Sequence, residues 1–256
     1  MASSSPILSV ERLDMRFGGI VALHDVSFSA EQGAVTAVIG PNGAGKTTLF
    51  NCITGMYRPT SGKVRFSGQD LTAAQPHRVA RAGIDRTFQN LALFQGLTVF
   101  ENLLVGAYRH GASGLLEGAF AGWRARREER AAQAQAHEIL AFLGLSAAAG
   151  SLPGELPYGQ QKQVEFGRAL MQQARLILLD EPMAGMSRAE KTRMVEMIRD
   201  VRGRLGVSFL IVEHDMPVVM DISDKIVVLD FGAKIADGAP RDVQNDKAVI
   251  AAYLGS

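Results

Sequence analysis

Apolar and polar positions alternate at the start of the chain, and short apolar runs recur further along it. Alternation with a period of two, or a short continuous apolar run between turn residues, is typical of β-strands. The pattern predicts strands at 7–17, 21–29, 34–39, 62–68, 176–180, 208–213 and 225–230. The first two strands flank a turn at Gly18-Gly19 and are expected to form an antiparallel layer at the start of the fold.

Helical spacing of apolar positions predicts the elements between these strands. The tract RARREERAAQAQAHEILAFLGL, for example, combines strong helix formers with apolar residues three and four positions apart. Helices are predicted at 45–55, 76–82, 99–107, 124–144, 158–172, 188–204 and 242–254. Because strands alternate with helices over most of the chain, the pattern favours an α/β fold with a mostly parallel core sheet.

The pattern of predicted strands and helices changes along the chain, and this change predicts how the domain is divided. Residues 1–256 are expected to form a single domain whose core comprises about 1–90 and 160–256. Helical segments dominate the stretch of about 91–159, which is therefore expected to form a helical insertion lobe.

Composition and charge narrow the function classes. The chain of 256 residues carries 27 basic and 26 acidic side chains, a net charge of +1, so nucleic acid is not expected as its main partner. A single cysteine, Cys52, excludes an intramolecular disulfide. No apolar run is close to the length of about 20 residues that a membrane-spanning helix needs. The first residues lack the features of a secretory leader. The sequence thus predicts a cytoplasmic chain that reaches a membrane only through a partner.

A glycine-rich turn follows the predicted strand at 34–39. It reads GPNGAGKT and matches the pattern G-x-x-x-x-G-K-[ST] without a mismatch. Glycines let backbone N–H groups turn towards phosphate oxygens, and the start of the following helix adds a partial positive charge. The predicted nucleotide-binding residues here are Gly40, Pro41, Asn42, Gly43, Ala44, Gly45, Lys46, Thr47 and Thr48. Lys46 is expected to reach the β- and γ-phosphates, and the Thr47 hydroxyl to bind Mg²⁺.

A second motif places two carboxylates at the end of a predicted strand. The segment LILLDEP runs from Leu176 to Pro182. Neighbouring side chains at a strand end point in different directions, so the two acidic residues are expected to serve different purposes. Asp180 is predicted to bind Mg²⁺, and Glu181 is predicted to be the catalytic base that faces the attacking water.

Three further segments complete an ordered set. LPYGQQKQ starts at Leu156 and precedes LILLDEP, Gln89 lies in DRTFQN, and His214 lies in IVEHD. Together with the glycine-rich turn, this set resembles the nucleotide-binding subunit of ATP-binding cassette (ABC) transporters over essentially the whole chain. The resemblance implies a P-loop ATPase that hydrolyses ATP to ADP and phosphate with Mg²⁺ and couples hydrolysis to transport.

The resemblance also implies roles for matching residues. Phe17 would stack on adenine, Gln89 would approach Mg²⁺ and the attacking water, and His214 would hydrogen-bond the γ-phosphate. The expected catalytic set is Glu181, His214, Lys46 and Gln89. The expected metal set is Thr47, Gln89 and Asp180.

In this family two cassettes dimerise head to tail, as a homodimer or a heterodimer. The signature residues of one subunit, here Tyr158, Gly159 and Gln160, would then contact the γ-phosphate held by the other. Two positions depart from the family pattern. Pro157 replaces the usual serine of the signature, and Ser187 stands where an aspartate is common. Proline suits the first turn of a helix, so the signature helix is still expected to start here.

Several segments resemble one branch of the family, the ATP-binding subunits of branched-chain and hydrophobic amino acid importers. They are LPYGQQKQVEFGRAL, DEPMAGMS, an insertion near 109–137 and the ending DGAPRDVQNDKAVIAAYLGS. The resemblance implies membrane permeases, a second ABC ATPase subunit and an extracytoplasmic solute-binding protein as partners, and a location on the inner face of the plasma membrane. Urea and aromatic-compound importers remain alternatives, as does a soluble ABC ATPase outside transport.

Overall fold

The computed structural model describes residues 6–87, 93–107 and 121–254 and confirms the predicted α/β class. The strands are β1 Leu8–Phe17, β2 Ile20–Ala30, β3 Val35–Ile39, β4 Ser61–Phe66, β5 Gln69–Asp70, β6 Ile84–Arg86, β7 Leu176–Asp180, β8 Ser208–Val212, β9 Lys225–Asp230 and β10 Ala233–Gly238. The helices are α1 Lys46–Ile53, α2 Pro76–Ala82, α3 Val99–Ala107, α4 Ala121–Leu143, α5 Tyr158–Met171, α6 Arg188–Leu205, α7 Met216–Ile222, α8 Pro240–Gln244 and α9 Lys247–Leu254.

The chain divides into two compact units. The first comprises Met1–Arg86, Ala174–Pro182 and Val195–Ser256, and the second comprises Thr87–Gln173 and Met183–Met194. The second unit extends beyond the lobe expected at 91–159, since it also contains α5, which packs against α3 and α4. The prediction of a single domain over the whole chain stays a prediction.

Two sheets build the first unit. One is antiparallel with the order β2-β1-β4-β5, which is the expected N-terminal layer. The other has the order β10-β9-β3-β8-β7-β6, and all of its pairs are parallel except β9 with β10. Because β8 lies between β3 and β7, the segments that follow these three strands emerge side by side at one edge. Ligands bind at this carboxyl edge in open α/β sheets.

Helix α1 fills the space between the two sheets. Its apolar residues Leu49, Phe50 and Ile53 are fully buried in one cluster with residues of β1, β2 and β4 and with one face of the parallel sheet. The opposite face of β3 and β9 packs against α7, α8 and α9 in a second cluster. Every residue of β3, β7 and β8 is buried, which explains why these three strands read as continuous apolar runs.

Close helix packing defines the second unit. A Cβ on Gly106 of α3 would lie 2.5 Å from the Arg168 carbonyl oxygen of α5, and a Cβ on Gly167 would lie 2.7 Å from Leu143 Cδ1 of α4. The buried amide of Asn102 donates to the carbonyl oxygens of residues 94, 97 and 98, so the polar group in this core is satisfied.

Some elements differ from the predictions. Strands β6 and β10 and helix α7 were not expected, because they are short or carry no continuous apolar pattern. The predicted strand at 62–68 ends at Phe66, since Ser67 and Gly68 adopt φ values of +47° and +81° and turn the chain into β5. The predicted helix at 242–254 is two helices: α8 ends at Gln244, and Asp246 starts α9 by accepting the N–H of Ala248 at 2.7 Å.

Candidate active site

The glycine-rich turn connects β3 to α1 in a conformation that requires its glycines. Gly40, Gly43 and Gly45 have φ values of +152°, +81° and +97°. A Cβ on Gly40 would lie 2.1 Å from the Leu229 carbonyl oxygen, and a Cβ on Gly45 would lie 2.7 Å from the Ala22 carbonyl oxygen. Both clashes are with backbone, so the turn can pass between β9 and β2 only with glycine at these two positions.

Lys46 is held inside this turn. Its ammonium donates to the carbonyl oxygens of Gly40 at 2.6 Å and Pro41 at 2.8 Å. Burial lowers the pKa of Lys46, while the negative charges of Glu181 and Asp180 act in the opposite direction. The cation therefore sits in the loop with only neutral oxygens as hydrogen-bond acceptors in the described structure. A phosphate oxygen would be a stronger, charged acceptor for it.

The two predicted carboxylates occupy different surroundings. Asp180 ends β7 with its side chain 2 % exposed, and its Oδ2 accepts from Arg86 at 2.6 Å. Glu181 follows with φ +49°, an unusual value for a residue with a side chain, and its N–H donates to the Val212 carbonyl oxygen at 2.9 Å. Its side chain is 25 % exposed. A buried carboxylate is thus followed directly by one that solvent reaches.

His214 is brought next to Glu181. Its Nδ1 lies 4.0 Å from Glu181 Oε1, and its side chain is 66 % exposed. The His214 N–H donates to Oε2 of Glu213, a carboxylate that is itself buried. The exposed imidazole and the predicted base thus share the carboxyl edge of the sheet, although 33 residues separate them in the chain. Their catalytic roles stay predictions.

An exposed aromatic pair lies at the end of the antiparallel layer. Phe17 is 42 % exposed and packs edge to face against Tyr57, with ring centroids 5.2 Å apart and an interplanar angle of 78°. A ring that is 42 % exposed leaves part of its surface open for stacking. Tyr57 was not predicted, and the aromatic spacing along the chain carries no signal for it.

The donor set suits a hard cation. Asp180 supplies a carboxylate at the end of β7, and Thr47 supplies a hydroxyl in the first turn of α1. Carboxylate and hydroxyl oxygens are the donors that Mg²⁺ takes beside phosphate oxygens. These residues therefore fit the expected metal. Gln89, the third predicted ligand and a predicted catalytic residue, lies outside the described residues.

The signature residues belong to the second unit. Helix α5 begins at Tyr158 with Pro157 at the N-cap position, so the serine-to-proline change is compatible with a helix start, as expected. Gly159 and Gln160 lie in the first turn, and the Gln160 N–H donates to the Pro157 carbonyl oxygen at 2.9 Å. A Cβ on Gly159 would lie 2.1 Å from Oε1 of Glu190.

Glu190 connects this helix start to the segment after the acidic motif. Its Oε2 accepts from the Ser187 N–H at 2.8 Å and the Ser187 hydroxyl at 2.7 Å. The Ser187 hydroxyl and N–H, with the Gly159 N–H, hold the pKa of Glu190 below its usual value. The Ser187 side chain thus caps the N-terminus of α6. The sequence pattern S-x-x-E carried a signal for this cap.

The C-terminal helix α9 contacts the glycine-rich turn at residues 40–47, which we call the phosphate-binding loop from here on. Burial raises the pKa of Tyr253, and a backbone hydrogen bond from Gly40 opposes the rise. Beside this contact lies a cleft of about 490 Å³, lined by Pro41, Asn42, Gly43, Ala44, Asp230, Phe231, Ile235, Ala248, Ala251 and Ala252. The sequence suggested only packing for this helix, and the contact with Gly40 was missed.

The fold and the site define an ATP-binding cassette. The phosphate-binding loop follows the central strand of a parallel sheet, and the acidic pair and a histidine follow the two strands next to it on one side. The chain belongs to the ABC transporter family, whose profile matches residues 23–184. A second profile, that of the branched-chain amino acid ATP-binding cassette transporter, matches residues 233–256.

Similar proteins support this placement over the full length. The chain is 44 % identical to the high-affinity branched-chain amino acid transport ATP-binding protein BraF of Pseudomonas aeruginosa, covering 98 % of this chain and 99 % of the relative. It is 40 % identical to the corresponding protein LivG of Escherichia coli K12 over the same shares. Among solved structures, a nucleotide-free ATP-binding cassette from an ABC transporter matches with a TM-score of 0.86 and 37 % identity, covering 98 % of this chain and 100 % of that one. The ADP conformation of an ATP-binding cassette matches with a TM-score of 0.86 and 36 % identity over the same shares.

Proposed function

We propose that this chain is the ATP-hydrolysing subunit that energises an importer of branched-chain or hydrophobic amino acids. One observation carries the proposal: a phosphate-binding loop, an acidic pair and a histidine share one sheet edge in a chain whose residues 233–256 match the branched-chain amino acid cassette profile. The names of the relatives from Pseudomonas aeruginosa and Escherichia coli support the choice of solute.

Nucleotide binding uses the loop and the exposed aromatic. The phosphates of ATP would enter the turn between β3 and α1, where backbone N–H groups and the start of α1 favour an anion. Lys46 would exchange its contacts with the Gly40 and Pro41 carbonyl oxygens for phosphate oxygens. Phe17 would stack on the adenine ring.

Hydrolysis uses the two residues that the structure brings together at the sheet edge. Glu181 would accept hydrogen-bonding from the attacking water and polarise it for in-line attack on the γ-phosphorus, while His214 would hold the γ-phosphate. Mg²⁺ bound near Asp180 and Thr47 would supply neutralisation of the charge on the phosphates. Lys46 would add a second positive charge that is held in place before the reaction begins.

Dimerisation of two cassettes would couple ATP hydrolysis to a conformational change of the transporter. Two cassettes would dimerise head to tail, this one with a second copy or with a related ABC ATPase subunit, so that Tyr158, Gly159 and Gln160 meet the γ-phosphate of the partner's ATP. Among the described residues, none of the helices has the length and apolar character needed to cross a bilayer. By analogy with the transport ATP-binding proteins of Pseudomonas aeruginosa and Escherichia coli, the chain would lie on the inner face of the plasma membrane against permease subunits, with a solute-binding protein on the other side.

The test of this function replaces the predicted base. Glu181→Gln keeps the shape of the side chain and removes its charge, so ATP hydrolysis should fall by about 10²–10⁴-fold while binding of a fluorescent ATP analogue stays within about twofold. Glu196→Gln, on the exposed face of α6, is the matched control and should hydrolyse ATP at the normal rate. Normal hydrolysis by Glu181→Gln would show that the base is misassigned.

Import itself needs a second readout. Cells that depend on the transporter should lose leucine uptake when the wild-type chain is replaced by the Glu181→Gln variant. They should keep it with the Glu196→Gln control. Unchanged leucine uptake together with lost urea or aromatic-compound uptake would overturn the choice of solute and leave the ATPase assignment in place.

A further inference from the structure

Arg86 lies in direct contact with the predicted magnesium ligand. It is the last residue of β6, which pairs in parallel with β7, and Arg86 stands opposite Leu178 in that register. Its side chain is 11 % exposed, and Nη2 donates to Asp180 Oδ2 at 2.6 Å. A guanidinium in hydrogen-bond contact with a carboxylate that is only 2 % exposed restricts the orientation of that carboxylate.

The same guanidinium has a second anchor on the helix of the phosphate-binding loop. Nη1 donates to Asn51 Oδ1 at 2.5 Å, and the guanidinium carbon lies 5.5 Å from the centre of the Phe50 ring. Asn51 is four residues after Thr47 on α1, so both side chains lie on the same face of the helix. Arg86 therefore connects the two elements that carry the predicted metal donors.

We propose that Arg86 is a positioning residue for the metal site: it holds Asp180 through Oδ2 and leaves Oδ1 as the oxygen that serves the cation. The inference rests on the proposed function, because it assumes that Asp180 binds Mg²⁺. Loss of a group that orients a metal ligand typically lowers metal affinity by about 10–100-fold. The hydrogen bond from Arg86 to Asn51 also connects Asp180 to α1. The position of the Asp180 carboxylate is therefore fixed relative to the Thr47 hydroxyl.

The test measures metal binding without catalysis. Mn²⁺ would be titrated into the full-length, ADP-loaded chain, and bound metal would be followed by electron paramagnetic resonance. Arg86→Gln should weaken Mn²⁺ binding at least about tenfold. Binding of fluorescent ADP in excess EDTA should stay within about twofold of wild type. Arg86→Lys, which keeps the charge but loses the two-armed contact, should recover only part of the affinity.

A matched control uses another arginine–aspartate pair of the same unit. Arg202 contacts Asp224 at 3.0 Å, and Asp224 accepts the Val35 N–H at the amino end of β3. The five residues of β3 separate this end from the loop by about 13 Å. Arg202→Gln should leave Mn²⁺ affinity unchanged. If Arg86→Gln has no more effect than this control, or strengthens Mn²⁺ binding, the positioning role is wrong.

Two further variants keep the outcome decisive. Asn51→Ala removes the second anchor without changing charge and should weaken Mn²⁺ binding in the same direction but less, so it tests the inference even where Arg86→Gln does not fold. Asp180→Asn separates the two hypotheses. If Asp180→Asn leaves Mn²⁺ affinity unchanged, the proposed metal role of Asp180 fails. If Asp180→Asn weakens binding and the Arg86 and Asn51 variants do not, only the positioning role fails.

Discussion

Replacing Gly40 by alanine tests whether the phosphate-binding loop is confined by backbone. The new Cβ would lie 2.1 Å from the Leu229 carbonyl oxygen and 3.1 Å from Ala44 Cβ. A carbon and a carbonyl oxygen normally keep about 3.3 Å apart, so the loop or the end of β9 must move by about 1 Å. Overpacking of this kind costs roughly 1–3 kcal/mol. The φ of +152° adds strain for alanine of order 1–3 kcal/mol.

The expected loss is therefore about 2–6 kcal/mol of the free energy of unfolding, measured by urea denaturation of the purified chain. Gly43 and Gly68 are matched controls, because both have φ +81° and neither would place a Cβ within 4 Å of another atom. Gly43→Ala and Gly68→Ala should each cost only about 1–2 kcal/mol, the price of the left-handed conformation. A Gly40→Ala variant that loses no more stability than these two would refute the steric reasoning.

The other predictions concern ATP binding, dimerisation of the cassettes and the reactivity of the Cys52 thiol. Lys46→Ala should weaken ATP binding by about 10–150-fold, the equivalent of a charged hydrogen bond, and unchanged affinity would contradict its phosphate role. Phe17→Ala should raise the Kd for ATP about tenfold, whereas Phe17→Tyr should not. Gly159→Ala in the Glu181→Gln background should weaken ATP-driven dimerisation in light scattering, because its Cβ would displace the Glu190 side chain that Ser187 holds at the start of the signature helix; equal dimerisation would count against the signature role. Burial raises the pKa of Cys52 to about 12, so iodoacetamide at pH 8 should label it only after denaturation, and labelling of the native chain would contradict this.

The predictions from sequence succeeded where one local pattern decides the structure. The segment at 34–39 is apolar at nearly every position because both faces of β3 are covered, and the glycine-rich turn after it has few alternatives once Lys46 starts a helix. The acidic pair at the end of β7 was predicted for the same reason, because β7 is also a short, fully buried apolar run. These elements were predicted within one or two residues, since burial and turn chemistry both act on the same short stretch.

The features that could not be predicted from the sequence are contacts between segments that are far apart in the chain. Arg86 precedes Asp180 by 94 positions, and only the parallel pairing of β6 with β7 brings them together. The contact of Tyr253 with Gly40 likewise joins the end of the chain to the loop after β3. A three-residue strand such as β6 leaves too weak a pattern to be recognised, so neither partner could be inferred before the fold was known.

The most direct test of the central claim is recovery of the chain from detergent-solubilised native membranes through a tag on the full-length protein, followed by mass spectrometry of the co-purified chains. The account predicts two multi-span permeases and a second ABC ATPase subunit, with ATP hydrolysis by the recovered complex that Glu181→Gln lowers. Recovery with ribosomes or nucleic acid and without any membrane protein would contradict it, and the chain would then be an ABC ATPase that works outside transport.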